Sequence, residues 1–327
     1  MKLTDKERDI FSVAQLAPRL SVNELRSYCG YRDHTIRYHL QRGLEDGLLI
    51  PRCFVNLNLL GYMQFEVYFS LSANNPQARQ LLLKALCESE RVSWMGEVGG
   101  DFQYGANICA RSLAEVTQFF DSLSTTFGHL VLDREIAVRV SLDYFGNKYL
   151  SEKNRPRSSL SYAVTENRVD IDELDHRILR ELMKNSPLIR RVLAQNLGLP
   201  LSTLEHRLKK LEQSGVIVGY YYLIDPARIG MQSFLFLVGV KGMNAKLRGE
   251  LSAFAAGHPN VVVFINTIGS WDIELAVEVE TARQSVEISE ALQTRFGPAI
   301  RFMKVLPSFG YPKVLEYPFE EFKVANG

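Results

Sequence analysis

Apolar residues fall at helical spacing in two separate stretches of the chain and in short alternating blocks elsewhere. From Ile171, the positions Leu174, Ile178, Leu179 and Leu182 recur every three or four residues and predict an amphipathic helix. Asp172 can cap it, and Asn185-Ser186-Pro187 ends it. A short helix carrying Val192, Leu193 and Leu197 follows and stops at Gly198. A third helix is expected from Ser202, which with Glu205 reads as a capping box. It buries Leu204, Leu208 and Leu211 and turns Ser202, His206, Lys209 and Lys210 outward. Gly215 closes it, and Val216 to Leu223 reads as a strand.

Two helices, a glycine turn and a third helix with a basic outer face form a winged helix-turn-helix pattern. In such folds the third helix enters the major groove of DNA. The pattern occurs twice. The segment from Arg8 aligns without a gap on the segment from His176, at an offset of 168. Ile10 then meets Ile178, Leu25 meets Leu193, Gly30 meets Gly198 and Leu40 meets Leu208. In the first copy the third helix starts near Arg32, buries Ile36 and Leu40, and presents His34, Tyr38, Gln41 and Arg42. Gly43 stands where the second copy has Leu211, so this helix is expected to be looser or bent there.

Beyond the helices the register slips by one. Gly61 meets Gly230, Gly100 meets Gly269, and Phe127-Gly128 meets Phe296-Gly297. Alternating and apolar segments here predict strand, helix, strand, strand, helix, strand in each copy. The strands are 63–72, 91–98, 102–110 and 131–142, with helices at 76–90 and 112–127. Their partners are strands 233–241, 261–267, 271–280 and 300–306, with helices 245–256 and 281–296. This order is the ferredoxin-like split βαβ. Two helices cover one sheet face only, so the other must be buried against a partner domain.

The fold class is therefore α+β. It is a tandem duplication of a winged helix-turn-helix plus a βαββαβ domain, forming an intrachain pseudo-dimer with its two sheets packed together. Boundaries are expected at 1–57 and 58–150 for the first copy and at 169–226 and 227–327 for the second. The polar, basic and serine-rich stretch 151–168 reads as an exposed linker.

Composition changes this picture little. The net charge is +1, so any nucleic-acid contact must come from local basic faces. No run of about 20 apolar residues suggests a membrane span. The charged start MKLTDKERD has no apolar signal core, and the four cysteines are scattered without a C-x-x-C pair. A cytoplasmic protein without metal or cofactor is expected.

The motifs resemble those of the Lrp/AsnC (feast/famine) transcriptional regulators. LDHRILREL from Leu174, LAQNLGL from Leu193, STLEHRLKKLEQSGVI from Ser202 and IDPARIG from Ile224 carry the resemblance in the second copy. The first copy is a diverged version, with GYRDHTIRYHLQRGLEDGLL from Gly30, LNLLGY from Leu57 and VGGDFQY from Val98. The resemblance implies a sequence-specific regulator that binds double-stranded DNA and assembles as a homo-oligomer. Base-edge candidates are His34, Thr35 and Tyr38, and Ser202, Thr203 and His206. Phosphate candidates are Arg37, Arg42, Arg207, Lys209 and Lys210. It also implies an amino-acid effector near a G-x-x-D turn, which maps to Gly269 and Asp272, and in the first copy to Gly100, where Asp101, two residues before the acidic position, is the candidate to compensate. There Gln103 holds the acidic position, and an amide cannot pair an ammonium group as a carboxylate does.

Two other readings stay open. The fold also resembles siroheme decarboxylases, which occur as fused pairs and use histidine and arginine on a tetrapyrrole. The α/β halves offer only His129 and His258, without an arginine-aromatic cluster, and no hydrolase, metalloprotease or P-loop motif appears. No catalytic residue is expected. The other reading is an assembly or corepressor protein that no longer touches DNA.

Overall fold

A computed structural model describes residues 2–72, 75–128, 130–185 and 189–321. The helix break expected at Ser186-Pro187, and His129, lie outside the described residues.

The first copy opens with α1 (Asp5–Ala14), α2 (Val22–Cys29) and α3 (Asp33–Glu45), followed by β1 (Ile50–Val55). Thr4 with Glu7, and Ser21 with Glu24, form capping boxes on α1 and α2. Each satisfies backbone N–H groups that a helix start leaves open, worth about 1 kcal/mol apiece. Gly30 ends α2 at φ 76°, a backbone conformation that costs a residue with a Cβ. The α/β half follows as β2 (Met63–Leu71), α4 (Pro76–Glu88), β3 (Val92–Val98), β4 (Tyr104–Ala110), α5 (Leu113–Phe127) and β5 (Val131–Tyr144).

After β6 (Leu160–Ala163), the second copy repeats the series. It has α6 (Glu173–Asn185), α7 (Arg190–Leu197), α8 (Leu201–Gln213) and β7 (Ile217–Leu223). Its α/β half is β8 (Gln232–Val240), α9 (Ala245–Gly257), β9 (Val261–Gly269), β10 (Ile273–Val279), α10 (Ala282–Phe296) and β11 (Ile300–Val314).

Several expectations are corrected. Ser202 does not cap α8. Pro200 precedes the first turn, no side chain caps it, and Ser202 is already inside the helix. With Pro200 at the entry, its φ fixed by the ring, the helix starts two residues earlier than a Ser202 cap would set it. Gly43 does not loosen α3, which runs through it unbroken. A Cβ there would lie 2.9 Å from both Phe11 and Leu49, so neighbours fill the space that Leu211 occupies in the other copy. The 151–168 stretch is not wholly an exposed linker, because β6 pairs with β5 and buries Leu160 and Tyr162.

The two sheets are one. All pairings are antiparallel, in the order β2-β4-β3-β11-β8-β10-β9-β5, and β5 returns to β2 to close the ring. The last strand of each copy does this. Val131–Val138 of β5 pairs with β2 of its own copy, and Ala137–Tyr144 continues onto β9 of the other. Likewise β11 pairs with β8 over 300–308 and with β3 over 308–314. Among the described residues, closure leaves the α/β halves no free edge except along β6. The helices lie outside over two apolar cores, one per copy. Inside, Tyr68, Val98 and Phe102 meet Leu235, Leu237, Trp271 and Leu306 across the copies. This is the intrachain pseudo-dimer the sequence predicts.

Candidate nucleic-acid interface

The third helix of each copy is anchored by its apolar stripe. On α8 this is Leu204, Leu208 and Leu211, all buried. On α3 Ile36 and Gly43 are buried and Leu40 is half-buried. Around α8 the chain forms a hollow of about 740 Å³ lined by Ser202, Thr203, His206, Arg207, Lys210 and Asp172. Five of the six predicted contact residues of the second module thus meet at one surface, and Lys209 stands exposed beside it. On α3, His34, Arg37, Tyr38 and Arg42 are exposed and Thr35 is half-buried. Arg42 donates to the Tyr38 hydroxyl at 3.3 Å and pairs with Asp46 at 3.4 Å, so its guanidinium is held along the outer face.

Arg207 has a task the sequence reading missed. Its guanidinium bridges Asp172 and Asp175, which stand at the start of α6. Asp175 is fully buried, and Lys210 approaches it at 3.7 Å. Asp172 is held below the ordinary carboxylate range, against the effect of burial, by the Asp175 backbone N–H and by Arg207. Among the described residues Arg37 and Lys209 make no ion pair and are open to phosphate.

The two modules are also tied to each other. β1 pairs with β7 across the copies. Arg228 donates to the carbonyls of Gly47 at 2.5 Å and Asp46 at 2.7 Å, at the end of α3. Arg19 pairs with Glu212 near the end of α8, with its guanidinium 3.3 Å from the Tyr220 ring centroid. The two third helices are therefore fixed in relative position by backbone pairing and by charged contacts on both sides. Neither arginine was legible as a clamp, because each acts on the other copy.

The predicted effector turns lie against different strands. Gly269 pairs with Ala137 of β5, whereas Gly99 donates to Pro307 of β11 beside Gly100. Asp272 Oδ2 accepts from the Val240 backbone N–H at 2.7 Å. Asp101 approaches Lys304 at 3.6 Å. Phe102 and Trp271, one from each turn, both meet Tyr68.

A polar cluster inside the ring was also missed. Arg139 pairs with buried Glu66 and donates to Tyr162, and Asn107 donates to Glu66 at 2.9 Å. Glu274 accepts from the Tyr68 hydroxyl at 2.9 Å, and burial beside Glu66 pushes its carboxyl up to about 8. The signal in the sequence was the run of polar residues at alternate positions, Gln64 and Glu66, within an apolar strand.

His258, weighed above as a catalytic group, accepts from Asn260 N–H at 3.2 Å in the turn after α9. Burial pushes its pKa down.

Comparison with known proteins agrees with this architecture. Residues 171–218 match the model of a winged helix-turn-helix DNA-binding family. The HTH-type transcriptional regulator FL11 of Pyrococcus horikoshii is 30% identical over 118 residues, 36% of this chain and 76% of its own length. An uncharacterized HTH-type transcriptional regulator of Pyrococcus abyssi is 34% identical over 103 residues, 32% of this chain and 69% of its own. Among solved structures, the siroheme decarboxylase NirDL superposes with a TM-score of 0.62, covering 97% of this chain and 95% of its own at 14% identity. That likeness is one of fold and matches the duplicated arrangement end to end. The second module's motifs and these relatives together place the chain in the Lrp/AsnC family of helix-turn-helix transcriptional regulators.

Proposed function

We propose that the chain reads duplex DNA through α3 and α8, held as one unit. His34, Thr35 and Tyr38 face base edges in one half-site, and Ser202, Thr203 and His206 in the other. Arg37, Arg42, Lys209 and Lys210 face phosphates. Arg207 we assign to holding α8 on α6, since it bridges two carboxylates at the start of α6, one of them fully buried. The observation that carries the reading is the clamped pair of outward polar helix faces. Tyr38 and His206 occupy the same position in the two copies, so the half-sites are unequal.

Mobility shifts with the region upstream of the protein's own operon test this. Specific binding is expected to fall steeply with salt, and Lys209→Ala to lower the log-log salt slope by about 0.9. Binding that is unchanged in Lys209→Ala and Lys210→Ala sinks the placement of the contacts.

The turns at Gly269 and Asp272 serve the fold in this reading, because Asp272 already holds the Val240 backbone N–H through one carboxylate oxygen. An unchanged melting temperature in millimolar amino acids agrees with that assignment, and a clear rise contradicts it. Chains are expected to associate further through their outer faces, since the sheet edges are used within one chain. A catalytic role is not proposed, and an unchanged Soret band on mixing with siroheme is the expected result.

A further inference from the structure

The duplication allows each place in one copy to be compared with its counterpart in the other, and one such place is filled in one half and open in the other. In the filled half, the chain after β11 lays Tyr317 and Phe319 against the start of the second helix-turn-helix module. Both rings are buried. Phe319 stacks on Tyr62 at 4.1 Å, and the Tyr317 hydroxyl meets His176 Nδ1 at 2.8 Å. The charges around them are engaged: Arg91 pairs with Glu115 at 2.8 Å and Arg111 lies over the Tyr62 ring at 4.8 Å.

At the repeat offset, Tyr317 becomes Lys148, Phe319 becomes Leu150, His176 becomes Arg8 and Tyr62 becomes Met231. Smaller side chains and an ammonium group thus stand in those places, while Tyr149 replaces Pro318 and lines the space beside buried Leu150. The result is a cleft of about 510 Å³ between α1 of the first DNA-reading module and the second α/β domain. This size is in the range of small-molecule sites. Arg8 and Lys148 line it, and among the described residues neither makes an ion pair. Both spend donors on carbonyls instead: Arg8 on Leu150 and Tyr149, Lys148 on Ala255 and Ala256 at 2.8 Å. Carbonyls satisfy hydrogens but carry no full negative charge, so neither cation is ion-paired. The exposed carboxylates Glu152 and Glu280 also line the cleft, and among the described residues neither makes an ion pair.

We propose that this cleft binds a small aromatic monocarboxylate. Its acid group is held by Arg8 and Lys148, and its ring lies in the space that Tyr317 and Phe319 fill in the other half. The carboxylates Glu152 and Glu280 disfavour a second anionic group and leave room for a donor. Burial and nearby Arg155 push the Lys148 ammonium down to about 7. An anion beside it restores the charged form, so binding near pH 7.5 takes up a proton. A bound molecule touches the first DNA-reading module and the second α/β domain at once, and so fixes one on the other.

The test is calorimetric titration of the full chain with 3-(4-hydroxyphenyl)propanoate. One saturable site per chain is expected, with a heat that depends on the buffer's ionisation enthalpy. Arg8→Gln and Lys148→Met should each weaken binding at least tenfold, whereas Arg111→Gln in the filled half should leave it unchanged. The neutral amide of the probe should bind at least tenfold more weakly, and so should propanoate without the ring. The double variant Lys148→Tyr with Leu150→Phe rebuilds the plug, and is expected to abolish binding while melting no lower than wild type. It keeps the inference testable if Arg8→Gln unfolds. No saturable heat, equal binding of the amide, or undiminished binding in the plugged variant overturns the proposal. None of these readings involves DNA, so their failure leaves the DNA-reading function standing.

Discussion

Arg207 and His39 occupy the same place in the two copies, and the difference between them sets how firmly each reading helix is held. In the second copy the guanidinium bridges Asp172 and buried Asp175. In the first, His39 Nδ1 lies 3.6 Å from Glu7, a pair that carries opposite charges only when the imidazole is protonated. Arg207→Ala leaves buried Asp175 with Lys210 at 3.7 Å and the Asp172 backbone N–H at 3.4 Å. Removing one partner of a buried pair costs several kcal/mol, and partial exposure of Arg207 brings the expected loss to about 1–3 kcal/mol. Chemical denaturation of the variant measures it, and an unchanged midpoint would show the tie to be idle. From sequence alone Arg207 read as a phosphate contact, since its outward helical position is the same in both roles. What distinguishes them is the pair of carboxylates on a helix 32 and 35 residues away.

At the scale of elements, β5 and β11 decide the architecture. Each is long enough to pair with its own copy and then cross to the other. The crossing of β5 needs Gly269. Its φ is 149°, and a Cβ there would lie 2.5 Å from the Ile136 carbonyl and 2.7 Å from Ala137 Cα. Backbone cannot move aside as a side-chain end can, so Gly269→Ala should loosen the β9–β5 pairing and lower stability by about 2 kcal/mol or more. Hydrogen exchange across Ala137–Tyr144 reads the change locally, and unaltered protection there would contradict the account. The elements themselves were legible, because alternation and helical period mark which face each buries. Gly43 shows the limit. Its cost to α3 was judged from the helix alone, whereas Phe11 and Leu49, distant in sequence, close the gap. The extension of β11 to Val314 was likewise hidden, because its partner β3 belongs to the other copy.

At the scale of the whole molecule, the ring gives the chain a polar interior that responds to pH. Folded Glu274 keeps its proton up to about pH 8, whereas in the unfolded chain it releases it near the ordinary 4.5. Between these values the native state binds the extra proton, so this group's contribution to stability falls as pH rises through that window. Glu274→Gln removes the effect. Its stability relative to wild type is expected to climb from pH 5 to about pH 9, as urea titrations at several pH values would show, and a flat difference contradicts the assignment. The duplication made the pseudo-dimer legible before any coordinates, but not the clamps of Arg19 and Arg228, which follow from closing the ring. Under the proposed function, those clamps make one chain a rigid reader with two unlike helices. Chromatin pull-down with sequencing tests this most directly. The account predicts an enriched motif of two unequal half-sites at one fixed spacing. Identical half-sites, a variable spacing, or no enriched motif would contradict it.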